Sequence, residues 1–158
     1  PDCDMLRQGL LGTAHATCTY LCSEIILPVA APKLKASAGN MEPQDLIDMP
    51  LLHLTTRPRL WAESFHANGL ESEQAYRGSR FDQFSMIIEA ALHGMGVALL
   101  PHYLIEDELA SDRLKIMVEQ SISTDKSYYV VLPDGGDEAV LARSFQTWML
   151  DQVGTITT

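Results

Sequence analysis

The sequence predicts an α/β fold built around an open sheet with parallel βαβ connections. Apolar runs with the length of buried strands alternate along the chain with segments of helical periodicity, and this alternation is typical of βαβ units. The clearest unit lies at residues 81–101, where a helix, a glycine turn and a buried strand follow one another. Ligands of such sheets bind beyond the carboxyl ends of strands, where the strand order reverses. The fold class therefore also predicts where a site lies.

Residues 81–101 carry the most specific local pattern. Asp82 can cap the first helical turn, and Gly94 with Gly96 supplies the permissive backbone that ends the helix. The apolar run Val97–Leu100 is then a short strand, stopped by Pro101. One apolar face recurs at helical spacing, at Phe84, Ile87, Ile88, Ala91, Leu92 and Met95.

The remaining strands are predicted from apolar runs. The remaining helices are predicted from segments of helical periodicity that begin or end at proline or glycine. Before residue 81, strands are predicted at Cys3–Leu6, Leu21–Ala30, Leu51–Leu54 and Gln74–Arg77. Helical segments are predicted after Pro32, at Pro43–Asp48, and from Pro58 to about Asn68. After Pro101, a helix is predicted at Tyr103–Leu109, strands at Leu114–Val118 and Tyr128–Leu132, and a final helix at Asp137–Gln152.

Two loops fit the strand-end rule, because each follows a predicted strand and precedes a predicted helix. In the first loop, Arg57 can clamp a carboxylate with two hydrogen bonds while Thr55 and Thr56 offer hydroxyl donors. Trp61 could form an aromatic wall of the same site. The plainer interpretations are a solvated arginine and a core tryptophan.

The second loop, residues 78–81, leads into the start of a predicted helix. Free N–H groups at a helix start attract anions, so this position favours a small acidic ligand. A helix start that holds only water is the plainer interpretation. The side chains that would shape the pocket are Ser79, Phe81, Asp82, Gln83, Phe84 and Ser85.

Composition limits the possible functions. The chain of 158 residues, 46% of them hydrophobic, is long enough for one globular core. No apolar run reaches the ~20 residues of a spanning helix. The net charge of −10 and the scattered positions of the 11 Lys and Arg residues argue against direct DNA binding by this segment. We therefore expect a cytoplasmic domain without membrane contact.

The three cysteines, Cys3, Cys18 and Cys22, indicate neither a disulfide framework nor a zinc site, so we expect free thiols and no metal or cofactor. His15 stands near Cys18 and Cys22, which leaves a metal or redox role open. The extended run at residues 17–27 does not favour that role, because it would not hold the three groups on one face.

Several segments carry a family resemblance. The sequence AALHGMGVALLP at residues 90–101 is followed by YLIEDEL at 103–109. Together with the segments below, it resembles the effector-binding domain of LysR-type transcriptional regulators, most closely the glycine-cleavage-activator and beta-lactamase-regulator branch. The other matching segments, in the family's order, are residues 2–9, 24–32 and 43–46, residues 50–53, Arg57 with Trp61, and residues 112–114, 128–133 and 145–150.

The resemblance implies a periplasmic-binding-protein-like (type 2) fold of two subdomains, with the inducer in the cleft between them. It implies a second subdomain at about residues 27–126, and remnants of an incomplete first subdomain at 1–23 and 127–158. Glu24–Val29 and Ser127–Val131 would be the crossing strands. Arg7 falls where family members often have a cleft-facing group. In a whole regulator, about seventy residues of the first subdomain and a winged helix-turn-helix would precede Pro1.

The function that follows is inducer sensing in a regulator that forms dimers or tetramers and contacts DNA through a separate N-terminal domain. A transporter's solute-binding protein, which has the same architecture, is the alternative. An enzyme is the third class, since Asp82, Glu89, Glu106 and Glu108 are carboxylates and Ser79 and Ser85 are potential nucleophiles. No Gly-x-Ser-x-Gly, Walker or His-Glu-x-x-His motif accompanies them, so we do not expect catalysis.

Overall fold

The computed structural model describes residues 16–35, 41–119, 122–133 and 139–156. The chain divides into a central unit, Ile25–Ser123, and a flanking unit formed by residues up to Glu24 and from Thr124 onward. Two long strands, β1 (Ala16–Ala30) and β6 (Ile122–Pro133), contribute residues to both units. The predicted strand Cys3–Leu6 and the predicted site residue Arg7 lie outside the described residues.

Helices and strands alternate between β1 and β6, as the sequence predicts. Of the helices in the described ranges, none has both the length and the apolar character needed to cross a membrane. The remaining elements, in chain order, are α1 (Pro32–Lys35), a 3-10 helix (Pro43–Asp48), β2 (Leu51–Leu54), α2 (Leu60–Ala67), a 3-10 helix (Glu73–Tyr76), β3 (Ser79–Phe81), α3 (Phe84–Leu92), β4 (Val97–Pro101), a 3-10 helix (His102–Leu104), α4 (Glu106–Ala110), β5 (Lys115–Ile116) and α5 (Ala139–Ile156).

The central sheet is mixed. Its strand order is β3-β2-β4-β1-β5, and β6 also pairs with β1. Strand β2 is parallel to β3 and to β4, which confirms the predicted parallel connections there. Strand β1 is antiparallel to β4 and β5, so the parallel prediction is wrong for this part of the sheet. Because no single crossover helix joins β1 to β4, the usual constraint of a βαβ unit does not set its direction.

The sheet of the central unit is buried on both faces, with one helix on each. Side chains along a strand alternate between faces, so Leu51 and Val97 join one core cluster and Leu52 and Ala98 join the other. Helix α2 supplies Trp61 and Phe65 to the first cluster. Helix α3 supplies Ile87, Ala90 and Ala91 to the second. Burying each large apolar side chain stabilises the fold by roughly 1.5–3 kcal/mol.

The segment before α3 differs from the prediction. A strand was expected at Gln74–Arg77, but these residues belong to the 3-10 helix Glu73–Tyr76 and its end. The Ser72 hydroxyl accepts a hydrogen bond from the Gln74 backbone N–H at 3.1 Å, which starts that turn. The strand is instead Ser79–Phe81, directly after Gly78, whose φ of +134° lies in a region that favours glycine.

The ends of several other elements also differ. Gln83, not Asp82, is the N-cap of α3, and α2 begins at Leu60, two residues after Pro58. Helix α3 ends at Leu92, so Met95 lies beyond it and is exposed. The predicted helix at Tyr103–Leu109 is divided into a 3-10 turn and α4, with Ile105 between them. Capping and turn geometry depend on backbone details that hydrophobic spacing does not report.

In the flanking unit, β1, β6 and α5 contact one another through polar and aromatic side chains. The Tyr128 hydroxyl donates to the fully buried Glu24 carboxylate at 3.1 Å, and Gln146 on α5 donates to the Thr19 hydroxyl at 2.7 Å. Tyr20 and Tyr129 meet edge to face, with ring centroids 5.8 Å apart. Strand pairing in this unit is therefore supplemented by contacts between specific side chains.

The cysteines depart from the expectation of free thiols. Cys18 is disulfide-bonded, whereas Cys22 is free and partly buried. Partial burial raises the pKa of the Cys22 thiol, because desolvation disfavours the thiolate. Among the described residues, no three His, Cys, Asp or Glu side chains lie close enough together to hold a metal ion.

Candidate functional site

The candidate site lies at the carboxyl ends of β3, β2 and β4. Chain order β2, β3, β4 becomes spatial order β3-β2-β4, so the connection from β2 to β3 and the connection from β3 to β4 run in opposite directions across the sheet. The point of reversal is the carboxyl end of β2, where open α/β sheets bind ligands. That end carries the loop Thr55–Arg57, and the neighbouring end of β3 leads through Asp82 and Gln83 into α3. The end formed by these three strands is called the carboxyl edge below.

Backbone hydrogen bonds hold the Thr55–Arg57 loop in place. The Thr55 N–H donates to the Phe81 carbonyl at 2.8 Å, which continues the β2–β3 pairing one residue past Leu54. The Arg57 N–H donates to the Leu54 carbonyl at 2.9 Å, closing a turn at the end of β2. The backbone of Arg57 is thereby anchored at the strand end.

The Arg57 side chain contacts the second predicted loop. Its guanidinium carbon lies 5.5 Å from the centroid of the Phe84 ring, within the range of a cation–π contact. Phe84 is the first residue of α3, and both side chains are half-buried. Two predicted site residues that are distant in sequence are thus neighbours, and the guanidinium retains exposed surface.

The start of α3 is electrostatically open to an anion. Its N-cap, Gln83, makes no side-chain capping hydrogen bond, and the first turn contains no acidic residue. The first intrahelical bond runs from the Ile87 N–H to the Gln83 carbonyl at 3.2 Å. Helix α2, in contrast, has Glu63 in its first turn. The positive end of the α3 dipole is therefore not neutralised within its own first turn, and it favours a bound negative charge.

The structure brings most of the predicted site residues to the carboxyl edge. Thr55, Thr56, Asp82, Gln83 and Ser85 are exposed there, and Phe81 is half-buried at the last position of β3. Ser79 is exposed but pairs with Leu52 at the opposite end of β3, about 6–7 Å back along the strand. Ser79 is thus separated from the others by the length of a short strand.

Trp61 is a core residue. Its side chain is 1% exposed, its indole N–H donates to the Leu52 carbonyl at 2.9 Å, and its ring packs against Phe65. The interpretation of Trp61 as an aromatic wall of a ligand site is therefore wrong for this structure. The physical reason is that the helical face of α2 that carries Trp61 and Phe65 packs against the sheet.

Sequence reasoning missed the third strand end. Strand β4 is parallel to β2 and ends at Pro101, and His102 follows at once. The His102 Nδ1 atom lies 3.6 Å from Oε1 of Glu106, and the His102 side chain is 40% exposed. The same strand-end rule would have found His102, had it been applied to the strand before Pro101.

A surface cavity of about 570 Å³ lies elsewhere in the central unit, between α2 and the 3-10 helix Glu73–Tyr76. Its charged lining residues are Arg59, Glu63, His66, Glu71 and Glu73, and none of the predicted site residues lines it. An excess of carboxylates repels an acidic ligand. We therefore place the candidate site at the carboxyl edge, where Arg57 and the start of α3 provide positive charge.

Comparison with known proteins identifies the relatives of this chain. A family model described as LysR substrate binding domain matches residues 6–154. The glycine cleavage system transcriptional activator of Escherichia coli K12 is 30% identical over 131 residues, covering 82% of this chain and 43% of that protein. An uncharacterized HTH-type transcriptional regulator of Sinorhizobium fredii, y4mQ, is 33% identical over 151 residues, covering 94% of this chain and 49% of that protein. The chain thus spans about half the length of these relatives.

Solved structures agree with this relationship. The AmpR effector binding domain from Citrobacter freundii aligns with a TM-score of 0.74 at 26% identity, over 89% of this chain and 68% of that one. The effector domain of the transcriptional regulator AmpR of Pseudomonas aeruginosa aligns with a TM-score of 0.73 at 26% identity, over 89% and 66%. These matches confirm the predicted architecture, and they favour a regulatory domain over a transporter's solute-binding protein.

Proposed function

Because the chain belongs to the LysR substrate-binding domain family, we propose that it senses a small carboxylate-bearing effector at the carboxyl edge of its central sheet. The family is one of transcriptional regulators and not of enzymes. The two AmpR domains are described as effector or effector-binding domains, which supports the same role here. The inter-subdomain cleft implied by the family resemblance stays a prediction.

One observation carries the proposal. Arg57 lies at the topological switch point, its guanidinium rests on the ring of Phe84, and the uncapped start of α3 lies beside it. A guanidinium presents donors in a planar fork that matches both oxygens of a carboxylate. Partial burial against Phe84 limits the rotamers of the side chain and lowers the entropy lost on binding.

Hydroxyl and backbone groups supply the remaining donors of the proposed site. Thr55 and Thr56 come directly after β2, and Ser85 is in the first turn of α3. A carboxylate held by Arg57 would also accept hydrogen bonds from the first N–H groups of α3, which have no helical carbonyl partner. Effector binding would then increase the population of the domain conformation that the effector contacts best.

The whole regulator's properties belong to the same proposal. We expect a cytoplasmic dimer or tetramer that binds DNA through a part other than these 158 residues. The support is the acidic balance of this chain, a net charge of −10, because DNA binding requires a concentrated basic surface. The finding that half of each relative lies outside the matched segment is consistent with a separate DNA-binding part.

A panel of small acids tests the proposal. Amino acids, hydroxy acids, simple monocarboxylates and dicarboxylates would be screened by thermal denaturation of the 158-residue chain. A binding acid at about 100 times its Kd should raise Tm by roughly 5–10 °C. Isothermal titration calorimetry would then show a decrease in affinity of at least about tenfold for Arg57→Ala and about threefold for Ser85→Ala.

The matched control is Arg59→Ala. Arg59 is two residues further along the same loop, is strongly exposed and pairs only loosely with Glu63 at 3.9 Å. Its removal should leave affinity unchanged. A panel without any binding acid, or equal losses in the two arginine variants, would exclude the proposed site.

A further inference from the structure

The carboxyl edge carries a third polar group, His102, in addition to the Thr55–Arg57 loop and the start of α3. In the β2–β4 pairing, Leu51 is opposite Val97 and Leu52 is opposite Ala98. Both strands continue as far as Leu54 and Leu100, which the same register sets opposite each other, so the Thr55–Arg57 loop and His102 leave adjacent strand ends. Neighbouring strands lie ~4.8 Å apart, so the strand ends that lead to His102 and to the Arg57 loop are about one strand spacing apart. A small molecule can span that distance.

One side of the His102 ring faces an acidic side chain. The nearest acidic atom is Oε1 of Glu106, 3.6 Å from Nδ1. This oxygen is buried and, within the described part of the chain, accepts no hydrogen bond. The 3.6 Å separation is longer than a hydrogen bond, and the negative charge of Glu106 favours the neutral tautomer that carries its proton on Nδ1. In the neutral ring, Nε2 is then an acceptor.

We propose that His102 is an effector-contact residue and that the effector carries a hydrogen-bond donor beside its carboxylate, as an α-amino or α-hydroxy acid does. Arg57 would bind the carboxylate, and His102 Nε2 would accept from the ammonium or hydroxyl group. Glu106 would be a positioning residue, because it acts on the ring through Nδ1. This inference rests on the proposed function, since it takes Arg57 as the carboxylate site.

Exposure and location support a ligand role over a purely structural one. The side chain of His102 is 40% exposed, so its loss would leave little unfilled space. His53, by comparison, is 4% exposed and its Nε2 lies 2.8 Å from the Arg77 carbonyl, which gives it a packing role. His102 is therefore the histidine at the carboxyl edge with a ring face accessible to a small molecule.

The chain offers a matched control. His93 also pairs with a glutamate four residues away in sequence, with Nδ1 3.7 Å from Glu89 Oε2. It follows α3 at the amino end of β4, whereas His102 follows the carboxyl end. Replacing either histidine removes one exposed imidazole that faces a glutamate side chain, and replacing His93 also removes a 2.8 Å contact between Nδ1 and the Glu89 carbonyl. Only His102→Leu should change effector recognition.

The experiment compares acids that differ only in the donor. Calorimetry would measure the affinities of glycine and acetate, L-alanine and propionate, L-lactate and propionate, and L-phenylalanine and 3-phenylpropionate. We expect the donor-bearing member of at least one pair to bind about tenfold more tightly than its partner. His102→Leu should remove that preference while leaving the weaker acid's affinity unchanged. His102→Gln, whose amide oxygen can accept in place of Nε2, should restore part of it.

The outcomes separate the inference from the proposed function. The inference is overturned if His102→Leu keeps the preference for donor-bearing acids, or if His93→Leu reduces that preference equally. In either case the proposed function stands as long as the affinity for acids still depends on Arg57. Tight binding of acids without a donor, with no gain from the amino or hydroxyl group, overturns it as well. If no acid binds, or if binding is independent of Arg57, the proposed function itself fails and the inference fails with it. Unchanged Tm of the variants would show that the effects are not due to unfolding.

Discussion

The two ends of the central sheet differ in how they are built. At the amino end, backbone packs directly on backbone: a Cβ atom on Gly78 would lie 1.9 Å from the Leu51 carbonyl oxygen, and one on Gly96 would lie 2.3 Å from that of Pro50. The adjacent Val97 N–H donates to the same Pro50 carbonyl at 2.8 Å. At the carboxyl end, exposed hydroxyl and guanidinium groups surround the strand ends. The amino end is closely packed, whereas the carboxyl end carries the residues of the proposed effector site.

We expect stability and recognition to be separable in the central unit. Substitutions at the amino end should lower the free energy of unfolding. Substitutions of the polar side chains at the carboxyl end should lower affinity with little effect on folding, because these side chains are exposed or only half-buried. The predictions below test that separation.

The largest effect is expected for Gly78→Ala. The new methyl group would collide with the Leu51 carbonyl in a backbone conformation, φ +134°, that alanine rarely adopts. We expect destabilisation by about 3–5 kcal/mol, measured by urea denaturation. Gly69→Ala is the control, because its φ is +70° but no atom lies within 4 Å of the added Cβ. It should cost only about 1 kcal/mol, and equal losses at both positions would contradict the close-packing account.

A smaller loss of stability is expected for Trp61→Phe. This change leaves the Leu52 carbonyl without its indole donor and leaves a small unfilled volume in the α2 side of the core. We expect destabilisation by about 2 kcal/mol. Affinity for any binding acid should be unchanged in the folded variant. A large fall in affinity with normal stability would return Trp61 to the ligand site.

The smallest effect, a modest loss of acid affinity, is expected when the Phe84 ring is replaced. Phe84→Leu keeps an apolar side chain but removes the π face beneath the Arg57 guanidinium. The contact contributes about 0.5–1 kcal/mol, so acid affinity should fall about two- to fivefold. Phe145→Leu on α5 is the control, because its exposed ring stacks on Trp148 and not on a cation, and calorimetry should show no comparable change. Equal decreases in both variants would indicate a general packing effect.

Short-range sequence patterns correctly predicted the elements that depend on only a few neighbouring residues. Strand β2 and the 3-10 helix Pro43–Asp48 have the predicted bounds, because an apolar run and a helix-starting proline are each read within a few residues. The strand before α3 was misplaced, because the Ser72 cap and the positive φ of Gly78 compete with its hydrophobic pattern. The antiparallel direction of β1 depends on long-range pairing, which no local pattern encodes.

The candidate site was only partly predictable for the same reason. Arg57 and Phe84 were each identified as strand-end or helix-start residues, but their contact arises from the β2–β3 pairing. Whether Trp61 faced the core or a ligand was undecided until α2 was positioned on the sheet. His102 follows a strand end as Arg57 does, but only the spatial order of the strands, in which β4 is adjacent to β2, shows that the two strand ends are neighbours.

The most direct test of the central claim is a map of backbone amide chemical shifts during titration with the tightest-binding acid of the panel. We expect the largest changes at residues 55–57, 82–86 and 102, along the carboxyl edge. The amides of Gly69, Gly78 and Gly96 should not move. Changes concentrated at the amino end, or around the cavity between α2 and residues 73–76, would contradict the assignment of the carboxyl edge as the effector site.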